Sequence, residues 1–231
     1  MITFNIITIF PEAFQSYFNS SLLKKAQNKG LIKIRFINPR DFATDKHRSV
    51  DEKPFGGGPG MVMKIEPIYR AVQSIKQKTK NKKIDTILFS VKGKKFDQKC
   101  AERLAKYKNL IFICGHYEGV DERVAKYIAD EEMSVGDFIL SGGEIPAMIL
   151  VDAIARLRAG VLGNEQSIET KRFKTSKTDE LPSCPVYTRP EIFYPHPKNK
   201  KIHWSAPKVL LSGNHKKIEE WRRKNLKQLK F

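Results

Sequence analysis

Three glycine-containing loops carry the residues that could bind a ligand. The first, FGGGPGM at residues 55–61, has four glycines in five consecutive positions. Glycine lacks a Cβ atom, so this stretch can take positive φ angles and let another surface approach the backbone closely. The composition fits two interpretations equally well, a substrate-binding loop and a flexible surface turn.

The second loop, CGHYEGVDERV at residues 114–124, follows the apolar run LIFI. A glycine at the carboxyl end of a strand, followed by a polar turn into a helix, is where open α/β sheets bind ligands. Glu118 and Asp121 could accept hydrogen bonds from ribose hydroxyls or from an amino group. For Asp121 alone, the favoured interpretation is that it caps the N-terminus of the next helix.

The third loop lies in SVGDFILSGGEIPAM at residues 134–148, where a short apolar run leads through SGGE into a helix. Backbone N–H and C=O groups in such a turn could bind the edge of an adenine, with the FIL run at 138–140 beside its ring. The alternative is a tight strand-to-helix turn in which Ser141 and Glu144 form a capping box.

Two common nucleotide-binding patterns are missing from the sequence. It contains no G-x-x-x-x-G-K-[ST] phosphate loop, and the glycines of GGGPG lack the G-x-G-x-x-G spacing of dinucleotide sites. The first apolar run is followed by PEAF rather than by a glycine turn. The sequence therefore argues against a Rossmann-type nucleotide site.

The elements that must position these loops alternate along residues 1–160, which predicts an α/β domain with a largely parallel sheet. Strands are expected at residues 3–10, 32–38, 84–90, 110–114 and 134–140. Helices are expected at residues 14–28, 67–78, 97–105, 121–129 and 146–157, the last with Pro146 in its first turn.

The composition changes after residue 160. Residues 161–231 carry 16 Lys and Arg against 7 Asp and Glu, so half of the net charge of +18 lies in less than a third of the chain. We expect an interdomain linker at residues 161–181 and a basic, mostly helical C-terminal domain at residues 182–231, with Asn214 capping its last helix. A positive field of this kind favours a nucleic acid as the partner.

The cysteines and histidines do not suggest a metal site. Cys100, Cys114 and Cys184 are widely spaced, so we predict buried reduced thiols and no structural metal. No stretch reaches the roughly 18 apolar residues of a membrane span. The N-terminal MITFNIITIFPEAF lacks the basic lead-in and cleavage site of a signal peptide. We therefore expect a cytoplasmic protein without a membrane partner.

Seven motifs run in order from the first strand to the last helix: PEAF at 11–14, FGGGPGM at 55–61, GHYEGVDERV at 115–124, SVGDFILSGGE at 134–144, GVLGNE at 160–165, YTRPE at 187–191 and LLSGNH at 210–215. Together they closely resemble the bacterial tRNA guanine-37 N1-methyltransferases, a family of the SPOUT class. The resemblance implies methyl transfer from S-adenosylmethionine to N1 of the guanine at tRNA position 37, on the 3′ side of the anticodon.

The resemblance also implies an architecture. It implies an α/β SPOUT fold with a deep trefoil knot at the cofactor site, a rare exception to the usual absence of knots in proteins. The small C-terminal domain would bind tRNA. The family forms an obligate homodimer, in which one subunit's knot and the other's C-terminal domain share the tRNA site.

The cofactor loops implied by the resemblance are residues 88–93, 115–119 and 135–143, closed by Pro146. The cofactor-binding residues that follow are Ser90, Gly93, Gly115, Tyr117, Glu118, Gly119, Val135, Gly136, Asp137, Phe138, Ile139, Leu140, Ser141, Gly142, Gly143 and Pro146. The family also depends on magnesium, without a dedicated protein cage that sequence could reveal.

The catalytic residues depart from the family in one position. Methylation of the protonated N1 needs a base, and a cation to stabilise charge on O6. Arg156 matches the arginine that supplies this cation in the family. Its alternative role is a phosphate contact or a helix-end charge, and this alternative is favoured for the neighbouring Arg158. The family's aspartate is replaced by Lys171, and lysine, with a pKa near ~10.4, is a poor base at neutral pH. Glu169 and Asp179 are the candidate bases, with solvated linker carboxylates as their alternative.

Two other functions are compatible with the sequence. A SPOUT methyltransferase for another RNA position would share the fold, although YTRPE and LLSGNH favour the guanine-37 enzyme. A catalytically impaired RNA-binding homologue would account for Lys171. Cofactor binding would distinguish the impaired homologue from the two active methyltransferases, because Gly115 and the loop at 141–143 predict measurable affinity for S-adenosylmethionine.

Overall fold

The computed structural model describes residues 1–79, 83–163, 181–196, 199, 201–225 and 227–229. The chain divides into two compact units, Met1–Glu165 and Gln166–Phe231. This division falls five residues after the boundary expected at residue 160. Most of the expected linker, 161–181, lies outside the described residues.

The first unit alternates strands and helices. Its strands are β1 (Ile2–Ile7), β2 (Ile32–Ile37), β3 (Asp51–Glu52), β4 (Val62–Met63), β5 (Ile84–Lys95), β6 (Asn109–Ile113) and β7 (Glu131–Ser134). Its α-helices are α1 (Gln15–Phe18), α2 (Ser21–Asn28), α3 (Ile65–Lys78), α4 (Gln98–Leu104), α5 (Glu122–Tyr127) and α6 (Glu144–Ala155). Two 3₁₀ helices span Pro11–Phe14 and Pro39–Phe42.

Five strands form one fully parallel sheet in the order β2-β1-β6-β5-β7. The short strands β3 and β4 form a separate antiparallel pair. Parallel neighbours need crossover connections, which the intervening helices supply. The predicted α/β class with a parallel sheet is confirmed.

Both faces of this sheet are buried, because the central strands are apolar on both sides. Phe4 and Ile6 of β1 pack with α2, α4 and α6, whereas Ile7 packs with α3 and α5. Successive side chains of a strand point to opposite faces, so one strand serves two cores. The unit therefore has helices on both sides of the sheet, and the strands' carboxyl ends lie together at one edge.

The helix predicted at residues 14–28 is wrong, because the chain breaks near its middle. Ser20 is extended, and its hydroxyl donates to the Tyr17 carbonyl at 2.7 Å. Serine and asparagine side chains compete for backbone hydrogen bonds and so favour caps and turns over helix interiors. The segment Asn19-Ser20 thus separates α1 from α2.

The strand predicted at residues 134–140 is also wrong, because β7 ends at Ser134. The sequence pattern missed its first residues, Glu131 and Glu132, because glutamate is rare in strands. Arg103 offsets the first of these charges with two hydrogen bonds of 2.7 and 2.8 Å to Glu131. Arg103 also donates to the buried Asp85 at 3.2 Å. Burial, followed by repulsion from Glu131, raises the pKa of Asp85 to about 6.

The second unit mixes strands with helices. Among its described residues, the strands are β8 (Leu181–Ser183), β9 (Ile192–Phe193), β10 (Trp204–Ser205) and β11 (Lys227–Leu229), and the helices are α7 (Lys208–Leu211) and α8 (His215–Lys224). The strands form two antiparallel pairs, β8 with β11 and β9 with β10. The Asn214 side chain accepts a hydrogen bond from the Lys217 N–H at 3.1 Å, which confirms the predicted N-cap of α8.

Across the part of the chain that the structure describes, no helix combines the length and the apolar character that a membrane span requires.

Candidate cofactor cleft

A cleft of about 440 Å³ lies at the carboxyl edge of the parallel sheet, within the first unit. Three chain segments form it, namely residues 88–92 of β5, the loop and helix start within 115–125, and residues 132–146 between β7 and α6. Its volume is in the range of roughly 300–1,000 Å³ that is typical of small-molecule sites.

Most of the cofactor residues implied by the resemblance meet in this cleft. Fourteen of the sixteen line it: Ser90, Gly115, Tyr117, Glu118, Gly119, Val135, Gly136, Phe138, Ile139, Leu140, Ser141, Gly142, Gly143 and Pro146. The apolar run at 138–140, expected in a strand, instead leaves the sheet and lines the cleft. Ile139 is 88% exposed, which a core residue would not be.

The other two residues, Gly93 and Asp137, lie outside the lining and support the loops around it. A Cβ atom on Gly93 would lie 2.5 Å from the Met133 backbone nitrogen, so the two chain segments touch there. Asp137 forms an ion pair with Lys95.

Four charged or titratable residues that line the cleft were not among the predicted cofactor residues: Lys92, His116, Glu122 and Glu132. Lys92 and His116 lie within the implied cofactor loops 88–93 and 115–119, and this position could have identified them. Glu122 begins α5, and Glu132 lies in the strand that was missed.

The charge of the cleft is opposite to that of the chain. Its lining contains the carboxylates of Glu118, Glu122 and Glu132 and one lysine, Lys92, in a protein of net charge +18. The Lys92 ammonium lies 3.2 Å from a Glu122 carboxylate oxygen. Two carboxylates in excess attract a cationic ligand and repel a polyphosphate.

Two of the cleft loops are joined directly by their backbones. The Gly143 N–H donates to the Gly115 carbonyl at 3.0 Å, and His116 and Gly142 form an isolated antiparallel bridge. A Cβ atom on Gly143 would lie 2.5 Å from the Cys114 Cα atom. Glycine is therefore required at position 143 for the loops to approach this closely.

Glu144 does not form the capping box that its spacing from Ser141 allowed. It is the first residue of α6, whose N-cap is Gly143, and no side chain caps this helix end. Its buried carboxylate instead accepts a hydrogen bond from the Thr8 hydroxyl at 2.7 Å and lies 3.0 Å from the His116 Nε2 atom.

The cysteines are free, as predicted, but the predicted burial is confirmed for only two of the three. Cys100 and Cys114 are enclosed in the first unit, whereas Cys184 is partly exposed. Burial, followed by the nearby Glu144 carboxylate, raises the pKa of the Cys114 thiol. This thiol therefore stays protonated and unreactive behind the cleft.

The FGGGPGM loop lies beside the second cleft loop. Gly60 has a φ of +76°, and a Cβ atom there would lie 2.5 Å from the Glu118 side chain. The Glu118 N–H donates to the Met61 carbonyl at 3.0 Å. At the other end of the loop, Phe55 is 99% exposed. The loop is thus anchored to the cleft at one end and open to solvent at the other.

Asp121 serves as the N-cap of α5, which confirms the interpretation favoured for it. Its carboxylate accepts a hydrogen bond from the Arg123 N–H at 3.0 Å and pairs with the Arg123 guanidinium at 2.6 Å. These contacts, the side-chain hydrogen bond first, lower the pKa of Asp121. Asp121 is not part of the cleft lining.

Of the three catalytic candidates, the structure describes only Arg156. Arg156 is the exposed C-cap residue of α6 and lies outside the lining. Arg158 donates to the Ala105 carbonyl at 2.6 Å, at the C-terminus of α4, which agrees with the second of its two favoured roles, a phosphate contact or a helix-end charge. Glu169, Asp179 and Lys171 lie outside the described residues.

No group of three or more His, Cys, Asp or Glu side chains in the described part of the chain is placed to hold a metal ion. The magnesium dependence implied by the resemblance therefore stays a prediction.

Comparison with known proteins identifies the family. The family described as "tRNA (Guanine-1)-methyltransferase TrmD" matches residues 2–230. A curated tRNA (guanine-N(1)-)-methyltransferase of Carboxydothermus hydrogenoformans is 54% identical over 220 residues, covering 95% of this chain and 81% of that protein. The protein of the same name from Dictyoglomus turgidum is 50% identical over 224 residues, covering 97% and 84%.

A solved structure supports the same assignment. The crystal structure of tRNA (m1G37) methyltransferase from Aquifex aeolicus matches with a TM-score of 0.75 and 38% identity, covering 95% of this chain and 87% of that chain. The relatives and the family match thus extend over nearly the whole sequence and over both units. The chain belongs to the tRNA (guanine-1)-methyltransferase family.

Proposed function

We propose that this protein methylates N1 of the guanine at position 37 of tRNA, with S-adenosylmethionine as the methyl donor. The relatives named above methylate guanine N1 in tRNA according to their names, and the Aquifex protein is named for position 37. The observation that carries the proposal is the convergence of the three cofactor loops implied by the resemblance, 88–93, 115–119 and 135–143, on one cleft with an excess of carboxylates.

The residues of the cleft fit S-adenosylmethionine. When bound, this cofactor supplies an electrophilic methyl group, and its sulfonium and ammonium groups are both cationic. Glu118 and Glu132 give the cleft the negative charge that such a ligand needs. The glycines of loop 141–143 expose backbone groups to an adenine, and the apolar run at 138–140 can cover its ring.

The proposed fold includes the trefoil knot of the SPOUT class. Membership of the family supports it, since the resemblance implies this knot at the cofactor site. Phe89 and Lys94 both pair with Met133, so residues 90–93 bulge out of the ladder, and residues 90–92 line part of the cleft.

The proposed reaction requires two groups from the protein for the guanine. A carboxylate from residues 161–181 removes the N1 proton, and the Arg156 guanidinium donates to O6 as negative charge develops there. Glu169 and Asp179 are the candidates for the base. Methyl-transfer rates of Glu169→Gln and Asp179→Asn at saturating cofactor test them. Full activity in both variants would show that they are only solvated linker carboxylates.

The tRNA site is proposed to be shared within a homodimer, between the cleft of one subunit and the C-terminal domain of the other. The surface of the first unit exposes apolar side chains around the start of α6: Phe10 is 40%, Ile145 53% and Ile149 41% exposed. Ile145 and Ile149 lie one turn apart on the same helix face. We expect a second copy to cover this face, and Ile145→Asp to sediment as a monomer when the parent chain is a dimer. A dimer that survives this charge would place the interface elsewhere.

The second unit is proposed as the tRNA-binding part of the chain. It combines a positive charge excess with exposed aromatic rings, among them Trp204 of β10 and Phe193 of β9. Lysine and arginine side chains attract the phosphate backbone, and aromatic rings stack on unpaired bases. Such a protein would act in the cytoplasm, where tRNA is processed.

One experiment tests the activity as a whole. The protein is incubated with labelled S-adenosylmethionine and unmodified tRNA, and the methylated base is mapped. We expect label on N1 of guanine 37. Methylation at another position would replace this proposal by a different RNA target. The absence of both cofactor binding and methyl transfer would favour the catalytically impaired homologue.

A further inference from the structure

Glu144 is a nearly buried carboxylate, with 7% of its surface exposed. Removing a carboxylate from water is costly unless hydrogen-bond donors replace the water. Two donors do so here. Thr8 lies 2.7 Å from one carboxylate oxygen, and the His116 Nε2 atom lies 3.0 Å from the other.

Thr8 holds Glu144 from the side away from the cleft. It is fully buried at the end of β1 and is not part of the cleft lining. The Phe10 N–H donates to the Thr8 hydroxyl oxygen at 3.0 Å. The hydroxyl proton is therefore left to bind the Glu144 carboxylate, which fixes the direction of that hydrogen bond.

His116 holds Glu144 from the side of the cleft. Its side chain lines the cleft, and its ring packs edge-on against Phe10 with 4.9 Å between centroids. A carboxylate only accepts hydrogen bonds, so the Nε2 atom must carry a proton. The glycine at 142 makes room for this contact, because a Cβ atom there would lie 2.3 Å from the same Nε2 atom.

We propose that Glu144 is a positioning residue of the cofactor cleft. Anchored by Thr8, its carboxylate holds His116 and so keeps the 115–119 loop in register with the 141–143 loop. Both loops line the cleft, whereas the anchor lies behind it. The inference rests on the proposed binding of S-adenosylmethionine and adds to it the network that shapes the site.

The test exploits the anchor, because Thr8 can be changed without altering the lining. Thr8→Val keeps the shape of the side chain but removes the hydroxyl, which donates to Glu144 and accepts from the Phe10 N–H, whereas Thr8→Ser keeps both hydrogen bonds. Thr86→Val is the matched control, because Thr86 is also fully buried and its hydroxyl has no hydrogen-bond partner among the described residues. Calorimetry gives the Kd for S-adenosylmethionine, and initial rates give kcat and both KM values.

We expect Thr8→Val to raise the Kd and the KM for S-adenosylmethionine by about tenfold, the scale of one hydrogen bond to a charged group. The kcat at saturating cofactor and the KM for tRNA should stay close to those of the parent chain. Thr8→Ser should restore the affinity, and Thr86→Val should leave it unchanged. Wild-type affinity in a folded Thr8→Val variant would overturn the proposal. A parent chain that binds no S-adenosylmethionine would instead overturn the proposed function.

A second pair of variants covers the case in which Thr8→Val does not fold. His116→Gln can still donate an amide N–H to the Glu144 carboxylate, whereas His116→Leu cannot. We expect the glutamine variant to bind S-adenosylmethionine more tightly than the leucine variant. Equal affinities would show that the hydrogen bond to Glu144 does not position the loop.

Discussion

Replacing Gly143 by alanine tests the close approach of the two cleft loops. The backbone angles of Gly143, φ −81° and ψ −1°, are accessible to alanine, so the added methyl group acts only through its contacts. It would lie 2.5 Å from the Cys114 Cα atom and 3.0 Å from the Cys114 Cβ atom. Non-bonded carbons prefer about 3.5–4.0 Å, so the loops must separate by about 1 Å.

The separation also breaks a hydrogen bond. The Gly143 N–H to Gly115 carbonyl distance of 3.0 Å would grow to about 4 Å, beyond hydrogen-bonding range. Overpacking costs about 1–3 kcal/mol, and the lost hydrogen bond adds about 0.5–1.5 kcal/mol. We expect a loss of roughly 2–4 kcal/mol in the free energy of unfolding, or roughly 5–15 °C in Tm for a unit of this size.

Thermal unfolding and calorimetric titration with S-adenosylmethionine measure the two consequences. Because both displaced loops line the cleft, the Kd should rise at least about tenfold. Gly163→Ala is the matched control, because a Cβ atom on this exposed glycine meets nothing within 4 Å. The reasoning is refuted if Gly143→Ala melts and binds the cofactor as Gly163→Ala does.

Three further variants test other parts of the structure. The pKa of the Asp85 carboxyl is raised to about 6, so this group stabilises the fold at low pH, and its contribution is lost as pH rises through 6. The free energy of unfolding of Asp85→Asn in urea should therefore rise relative to that of the parent between about pH 4.5 and about pH 7.5. A constant difference would contradict the raised pKa. Asn214→Ala removes the N-cap of α8 and should destabilise the second unit by about 1 kcal/mol, measured by circular dichroism; an unchanged melt would exclude that cap. Gly60 and Gly56 both have a positive φ, but a Cβ atom would displace Glu118 only at Gly60. Gly60→Ala should therefore weaken cofactor binding in calorimetry, whereas Gly56→Ala should not. Equal effects would leave backbone strain as the sole cause.

The motif loops could be located from the sequence because their signals are local. A glycine directly after an apolar run predicts a loop at a strand's carboxyl end, and in a parallel sheet such loops share one edge. Gly115 follows this rule and lines the cleft. Asn214 and Asp121 were equally readable, because a helix cap involves residues only two or three positions apart.

Other features could not be predicted from the sequence, because they depend on contacts between distant residues. Glu131 begins a strand that pairs with β5, and its charge is offset by Arg103, 28 residues earlier. Glu144 looked like part of a capping box, since its true partners, Thr8 and His116, are far away in the chain. Phe138 looked like a strand residue, because an apolar side chain that lines a ligand site is indistinguishable in sequence from one that fills a core.

The hydrogen bond between Thr8 and Glu144 also bears on how the protein folds. It joins residues 136 positions apart, so the end of the first strand must find the start of α6 before the cleft has its final shape. Contacts of such long sequence separation form slowly, because loop-closure entropy is lost before they contribute. During synthesis, this contact can form only after the chain has been made as far as Glu144, which is most of the first unit. We therefore expect cofactor affinity to appear only after Thr8 and Glu144 have come into contact, so that cofactor binding would report on this late long-range contact.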